Sequence, residues 1–153
     1  MGEDQAVGVN ECLDWISGLK RDARQIVFAV LDQDRAPLGI ARGSELDRLH
    51  GKASWAFHLA AGGRGDLESV VGFALISFVF DTVGLEKLNC EVVEGNDAIV
   101  ALHRKFLFQE EGFRRSNVMQ QGARAGVRML GLTKDEWAAG KAQLREMHGR
   151  LLA

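Results

Sequence analysis

Apolar and polar positions along the chain alternate between two periods, one of strands and one of helices. Gln25 to Leu31 (QIVFAVL) is a continuous apolar run of strand length, followed by a turn at Asp32 to Pro37 and a second short strand at Leu38 to Arg42. Ser44 to Lys52 is polar and carries turn residues, so it predicts a loop or a hairpin extension. Ala53 to Ala60 (ASWAFHLA) alternates with period two. Trp55, Phe57 and Leu59 fall on one face, and Ser54, Ala56, His58 and Ala60 on the other. That small, polar face is suited to border a cavity.

Glycines at 62, 63 and 65 then break the chain before a helix predicted over Asp66 to Val83. Leu67, Val70, Val71, Ala74, Leu75, Phe78 and Val79 form its main apolar stripe. Phe73, Ile76 and Phe80 make the opposite side apolar too, so the helix is expected to be covered on both sides. Lys87 to Val93 is a strand. Asn96 is placed to cap a helix to Phe106, with Ile99, Leu102, His103 and Phe106 on one stripe. Phe113 to Gln120 and Ala123 to Leu132 read as paired strands. Thr133 and Glu136 make a capping box for a C-terminal helix over 133–151. Upstream, Asn10 can cap a helix carrying Leu13, Ile16 and Leu19. The order predicts a single α/β (α+β) domain over 1–153, a mixed sheet with helices on both faces.

Composition narrows the function classes. The chain has 153 residues, 46% hydrophobic and 26% charged, with a formal net charge of -2. A near-neutral chain with no basic patch gives little support for nucleic-acid binding. The two cysteines, Cys12 and Cys90, form neither a disulfide framework nor a metal-ligand set. A reducing cytoplasm is the expected location, and no metal is expected. No basic-then-apolar leader opens the chain, and Val70 to Phe80 is too short to span a bilayer, so no membrane contact is expected.

Each piece of candidate chemistry has a plainer alternative. The Gly62-Gly63-Arg64-Gly65 turn could let the backbone and a cation approach a pyrophosphate, or be a simple strand-to-helix turn. Asp66 and Glu68 in the following helical turn suit the helix dipole but repel phosphate. His103 lies on an apolar stripe, where spacing alone favours a core histidine over a proton donor. For His58, a base beside a cleft and a half-exposed strand residue are equally weighted. Cys90, in a buried strand, reads as an inert thiol. Arg104, Lys105, Arg114 and Arg115 form either a solvated face or a rim for a polyanion.

Taken together, SWAFHLA at 54–60, GGRG at 62–65, FVFDTVGLEKL up to Leu88, CEVVEGNDAIVALHRKFLFQEEGF at 90–113, GVRMLGLTKDEW at 126–137 and CLDWISGLKRD at 12–22 resemble the GNAT acetyltransferase superfamily. The resemblance is greatest to the aminosugar N-acetyltransferases of nonulosonic (pseudaminic-type) acid biosynthesis. It covers nearly the whole chain. It implies a mostly antiparallel sheet and acetyl transfer from acetyl-CoA to the amine of a nucleotide-linked amino sugar. Carried over by position, backbone groups of Leu59 and Ala60 would bind the acetyl carbonyl and pantetheine, and Gly62, Gly63, Arg64 and Gly65 the pyrophosphate. Asn96 would bind the pantetheine arm and Lys105 the adenosine phosphate. His58 would act beside the acceptor, and His103 would protonate the leaving thiolate.

The chain departs from the pattern in three places. The superfamily's first strand and helix have no counterpart, so the domain reads as N-terminally abbreviated, and an open sheet edge would favour a homodimer. Asp66, Leu67 or Glu68 takes a position usually glycine or small. Leu107 stands where KFGF-type sequences have glycine. These departures motivate a competing expectation, a GNAT-fold binding or scaffold module with little catalysis. Another keeps the transfer and changes the acceptor to a protein amine or the donor to an acyl carrier protein.

Overall fold

Alternating burial first shows which way the sheet faces. In the strand Lys87–Val93, Leu88, Cys90 and Val92 are buried, while Lys87, Asn89 and Glu91 are half-buried or exposed. The structure, a computed structural model, describes residues 22–59 and 65–148. Six strands form one sheet: β1 (Ile26–Leu31), β2 (Pro37–Asp47), β3 (Lys52–Leu59), β4 (Lys87–Val93), β5 (Gln109–Gln120) and β6 (Ala123–Thr133). Their spatial order is β1-β2-β3-β4-β6-β5, and every pairing except β3–β4 is antiparallel. The expected mixed, mostly antiparallel sheet with helices is what is observed. The helix expected from Asn10 lies outside the described residues.

Three helices accompany the sheet: α1 (Gly65–Phe78), continued by a π-helical turn at Val79–Val83, α2 (Asp97–Lys105) and α3 (Lys134–His148). Their ring contacts meet on one side. Phe78 of α1 meets Phe28 of β1 edge to face at 5.6 Å, and Phe106 after α2 meets Phe57 of β3 at 6.3 Å. Trp137 of α3 packs on Phe73 at 5.2 Å and Phe80 at 6.5 Å. On the other side, ion pairs between Lys87 and Glu111 and between Arg114 and Glu91 join β4 to β5 across β6.

Three boundaries differ from the sequence expectation. β2 runs on from Arg42 to Asp47, so of the two expectations for the polar stretch from Ser44, a loop or a hairpin extension, the extension is what forms. Only Ala41, Gly43 and Leu46 of its later half are buried, so the polar residues between them mask a strand with one wet face. β5 begins at Gln109 rather than Phe113, because it is an edge strand with no buried residue to mark it. Along α1 and its π-helical continuation, Phe73, Ile76, Val79 and Phe80 are buried hydrophobic positions, whereas Ala74 and Phe78 of the expected main stripe are exposed and Val79 alone of that stripe's described side chains is fully covered. The aromatic side wins because α3 presents Trp137 to it.

Two glycines allow close approach. A Cβ on Gly72 would overlap the Phe106 ring, so glycine there lets the residues after α2 seat against α1. A Cβ on Gly140 would overlap Leu107 Cδ1. Leu107, at the position usually glycine, has a φ of 73°, a conformation costing a side-chain-bearing residue about 1–2 kcal/mol. Its half-buried side chain reaches α3 in return. A double-mutant cycle tests this pairing. Gly140→Ala is expected to cost about 1–3 kcal/mol through overpacking. In a Leu107→Gly background it should instead stabilise, by up to about 1 kcal/mol of helix propensity. Urea melts of the four proteins check the change of sign.

The capping box forms as expected. The Thr133 N–H donates to Glu136 Oε2 at 2.8 Å, and the Glu136 N–H donates to Thr133 Oγ1 at 3.2 Å.

Candidate active site

The site begins where a ladder stops. β3 and β4 pair through three positions only: Lys52 with Lys87, Ala53 with Leu88, and Ser54 with Asn89. β3 continues to Leu59 and β4 to Val93 without further mutual pairing. Each strand keeps its other neighbour along this length, β2 for β3 and β6 for β4. The sheet therefore opens as a wedge with its apex at Ser54 and Asn89. Backbone donors and acceptors along the two facing edges lack a strand partner there. Buried backbone polar groups are rarely left unpaired, so such a gap is suited to an extended polar ligand.

Leu59 ends β3 opposite Gly39, and His58 stands opposite Ile40, both beyond the last β3–β4 pair. Gly65 opens α1. Ala60, Gly62, Gly63 and Arg64 lie outside the described residues. Ser54 and Ala56, on the small face of β3, line a cavity that Trp55 also borders, and Trp55 and Phe57 are buried.

Asn96 occupies the N-cap of α2, but its side chain makes no capping hydrogen bond, contrary to expectation. Its backbone torsions, φ -93° and ψ 60°, differ from the β-region geometry of a side-chain cap. The exposed amide therefore keeps its hydrogen-bonding capacity for a ligand. Lys105, at the other end of α2, lines an open groove of about 610 Å³ with Asp97, Val100, Ala101, Arg104 and Arg128. The groove lies beside the end of β4, since Arg128 stands opposite Val92. Arg104 pairs with Glu110 at 3.1 Å and Arg128 with Asp97 at 3.6 Å. Exposed pairs of this kind contribute about 0–1 kcal/mol, so a phosphate can displace the carboxylates. Arg128 is the residue that sequence reasoning missed here. It sits on a strand far from α2 in the chain, and no spacing marks it.

His103 is 1% exposed. Its Nδ1 lies 2.8 Å from the carbonyl oxygen of Ile99, and its ring meets Phe108 edge to face at 5.1 Å. Nε2 is buried with no hydrogen-bond partner. Burial pushes its pKa below the ordinary 6.5, and the Ile99 carbonyl opposes that shift. The neutral ring donates Nδ1–H to Ile99 and leaves Nε2 as an acceptor. The imidazolium expected to protonate a thiolate is thus not the resting form. Cys90 is buried, and its thiol is pushed up to about 12, first by burial and then by the Glu91 charge, which leaves it unreactive. Among the described residues, no group of three His, Cys, Asp or Glu could hold a metal ion, and no helix is long and apolar enough to cross a membrane.

A mixed sheet opened between its parallel pair, with a helix following each splayed strand, is the GNAT-type N-acetyltransferase fold. No family model matches the chain. It is 24% identical over 133 residues to YokL, an SPbeta prophage-derived uncharacterized N-acetyltransferase of Bacillus subtilis (strain 168), a match covering 84% of this chain and 72% of the relative. Among solved structures, it superposes on spermidine N-acetyltransferase from Vibrio cholerae in complex with CoA and spermine, with a TM-score of 0.79 and 19% identity, over 89% of this chain and 81% of that one. The manganese complex of spermidine/spermine N-acetyltransferase SpeG from Vibrio cholerae gives a TM-score of 0.77 and 19% identity, over 86% and 78%.

Proposed function

We propose that this protein transfers an acetyl group from acetyl-CoA to a primary amine of a small molecule by direct attack. The observation that carries this proposal is the wedge between β3 and β4 beyond Ser54 and Asn89. Its free strand edges fit the amide-rich pantetheine arm, the Asn96 amide stands at the mouth of α2, and the Arg104, Lys105 and Arg128 groove suits the nucleotide phosphates. Gly62 to Gly65 are assigned to the pyrophosphate.

The residues divide the chemistry between them. Backbone N–H groups near Leu59 and Ala60 polarise the thioester carbonyl. His58, directly or through water, brings the acceptor amine to its neutral form. The amine nitrogen bonds to the carbonyl carbon and the carbon–sulfur bond breaks. His103 Nε2, resting unprotonated, accepts the proton shed by the new amide nitrogen and passes it to sulfur. This replaces direct donation from a charged His103, which its burial disfavours.

For the acceptor, the Vibrio cholerae structures are of enzymes named for spermidine, which favours an aliphatic amine over the nucleotide-linked amino sugar that the sequence resemblance implies. Arg114, exposed beside the wedge, is the observation that supports the nucleotide alternative.

Binding of the donor is tested by thermal unfolding. Acetyl-CoA at ~100 times its dissociation constant should add about 2.7 kcal/mol. Absence of any shift at millimolar acetyl-CoA would favour a binding or scaffold module instead.

A further inference from the structure

The turn between β4 and α2 is held by a side chain that takes the place of its own backbone. The β4–β6 ladder ends at the pair Val93 and Val127, so Glu94 and Gly126 would form the next pair. Opposed residues in an antiparallel ladder exchange two hydrogen bonds at every second pair. Here the Glu94 N–H donates to the Gly126 carbonyl at 2.9 Å, as a strand residue would. The return bond is different. The Gly126 N–H donates to Glu94 Oε2 at 3.0 Å, and the Glu94 carbonyl receives no backbone N–H among the described residues. The carboxylate has replaced the carbonyl in the ladder, which releases the backbone to turn.

The neighbouring residues fit that replacement. Gly95 follows with a φ of 93°, and a Cβ there would meet nothing within 4 Å, so glycine serves the torsion and not the space. The Asn96 N–H donates to the Val93 carbonyl at 3.1 Å and closes the turn. Gly126 is buried, and a Cβ on it would overlap the Phe113 ring, so the ring covers the backbone that Glu94 binds. A second tether, Asp97 to Arg128 at 3.6 Å, uses a carboxylate that is 80% exposed, and such pairs contribute little. Of the two contacts that bracket Asn96, the charge-assisted bond of Glu94 is the firmer.

We infer that Glu94 is a positioning residue for the acyl donor. Its carboxylate fixes the turn that carries Asn96 to the mouth of the wedge, and the uncapped Asn96 amide then meets the pantetheine arm in one orientation. Glu94 itself touches neither donor nor acceptor in this assignment, and it moves no proton. An amide that must first be ordered loses part of its binding energy to that ordering. Loss of the tether therefore weakens donor binding and leaves the chemistry at the thioester as it was. This inference rests on the acetyltransferase function proposed above.

The test is a double-mutant cycle on CoA binding, with amide hydrogen exchange as a local readout. Wild-type protein, Glu94→Ala, Asn96→Ala and the double variant are compared, with Glu94→Gln as the conservative control. CoA Kd is measured by calorimetry at a temperature where every variant is folded. Glu94→Ala should raise Kd by about tenfold, as expected for loss of a charge-assisted hydrogen bond, and raise the KM for acetyl-CoA with kcat kept. It should also open the Gly126 amide to hydrogen exchange. Glu94→Gln, whose amide oxygen accepts the same N–H, should stay within about threefold of wild type and keep that protection. In the Asn96→Ala background, Glu94→Ala should cost nothing further. Unchanged CoA affinity in Glu94→Ala, or a loss that adds in full to that of Asn96→Ala, would refute the positioning role while the acetyltransferase function stands. Protection of Gly126 retained in Glu94→Ala would refute the tether itself. Failure of the wild-type protein to bind CoA would overturn the function and this inference together.

Discussion

Replacing His103 with phenylalanine is expected to lower kcat by about 10²-fold or more, the usual range for loss of a positioned proton-transfer group. CoA affinity should change little, because the role assigned to the ring is proton transfer at the reacting sulfur, not binding of the cofactor's pantetheine or phosphates. A buried Nε2 without a partner is rare enough to ask for a reason, and a proton-transfer role supplies one. The pH behaviour separates this role from simple packing. A histidine of ordinary pKa acting in the reaction would change the rate between about pH 6 and 8. Burial moves the titration of His103 below its ordinary 6.5, so the acidic limb of kcat should fall below that value, with a plateau above it.

Stability follows the same group with a definite sign. The folded pKa lies below the unfolded one, so the unfolded chain binds more protons between the two values. Stability is then fully present above the unfolded pKa, near 6.5, and is lost as pH falls toward the folded pKa, at up to about 1.4 kcal/mol per pH unit. The phenylalanine variant should lose that dependence and gain on wild type at pH 5. Urea melts at pH 5 and 7, beside kcat profiles, check both. An active variant with an unchanged kcat profile would make His103 a core residue only.

The second large effect is structural. Trp137→Ala should destabilise the fold by about 3–5 kcal/mol, as expected for truncating a fully buried aromatic. Trp137 is 1% exposed and joins α3 to α1 through Phe73 and Phe80. Its indole N–H is buried without a partner, so Trp137→Phe removes an unsatisfied donor along with volume and should cost much less than alanine. Denaturant unfolding measures both. A loss under about 1 kcal/mol for alanine would mean that α3 contributes little to the core.

Much of this arrangement can be read from the chain, because periodicity reports burial. β3, β4 and α2 carry apolar residues at the period of their element, β1 is marked by an unbroken apolar run, and Thr133 and Glu136 announce α3 through local hydrogen bonding. The end of β2 and the start of β5 leave no such mark. Their residues are held by backbone hydrogen bonds while most of their side chains, Leu46 apart, are at least partly exposed. The cavity at the wedge was legible only in part. Alternation in β3 put Ser54 and Ala56 on the small face that lines it, although Trp55 also borders it. Glu45, Glu91 and Arg114 arrive from three other strands, and only the sheet order brings them together. Asn96 shows the opposite case, where position was readable and the bond was not. The sequence places it at an N-cap, and its backbone torsions then turn the amide away from capping.

The most direct test of the central claim is an amine-dependent release of CoA thiol. Acetyl-CoA and a primary amine are incubated with the protein, free thiol is followed continuously, and the amine product is identified by mass spectrometry. The wedge between β3 and β4 predicts thiol released in step with N-acetylated amine, one for one, and suppressed in the His103→Phe variant. Thiol release that is absent, or that proceeds equally without amine, would contradict it.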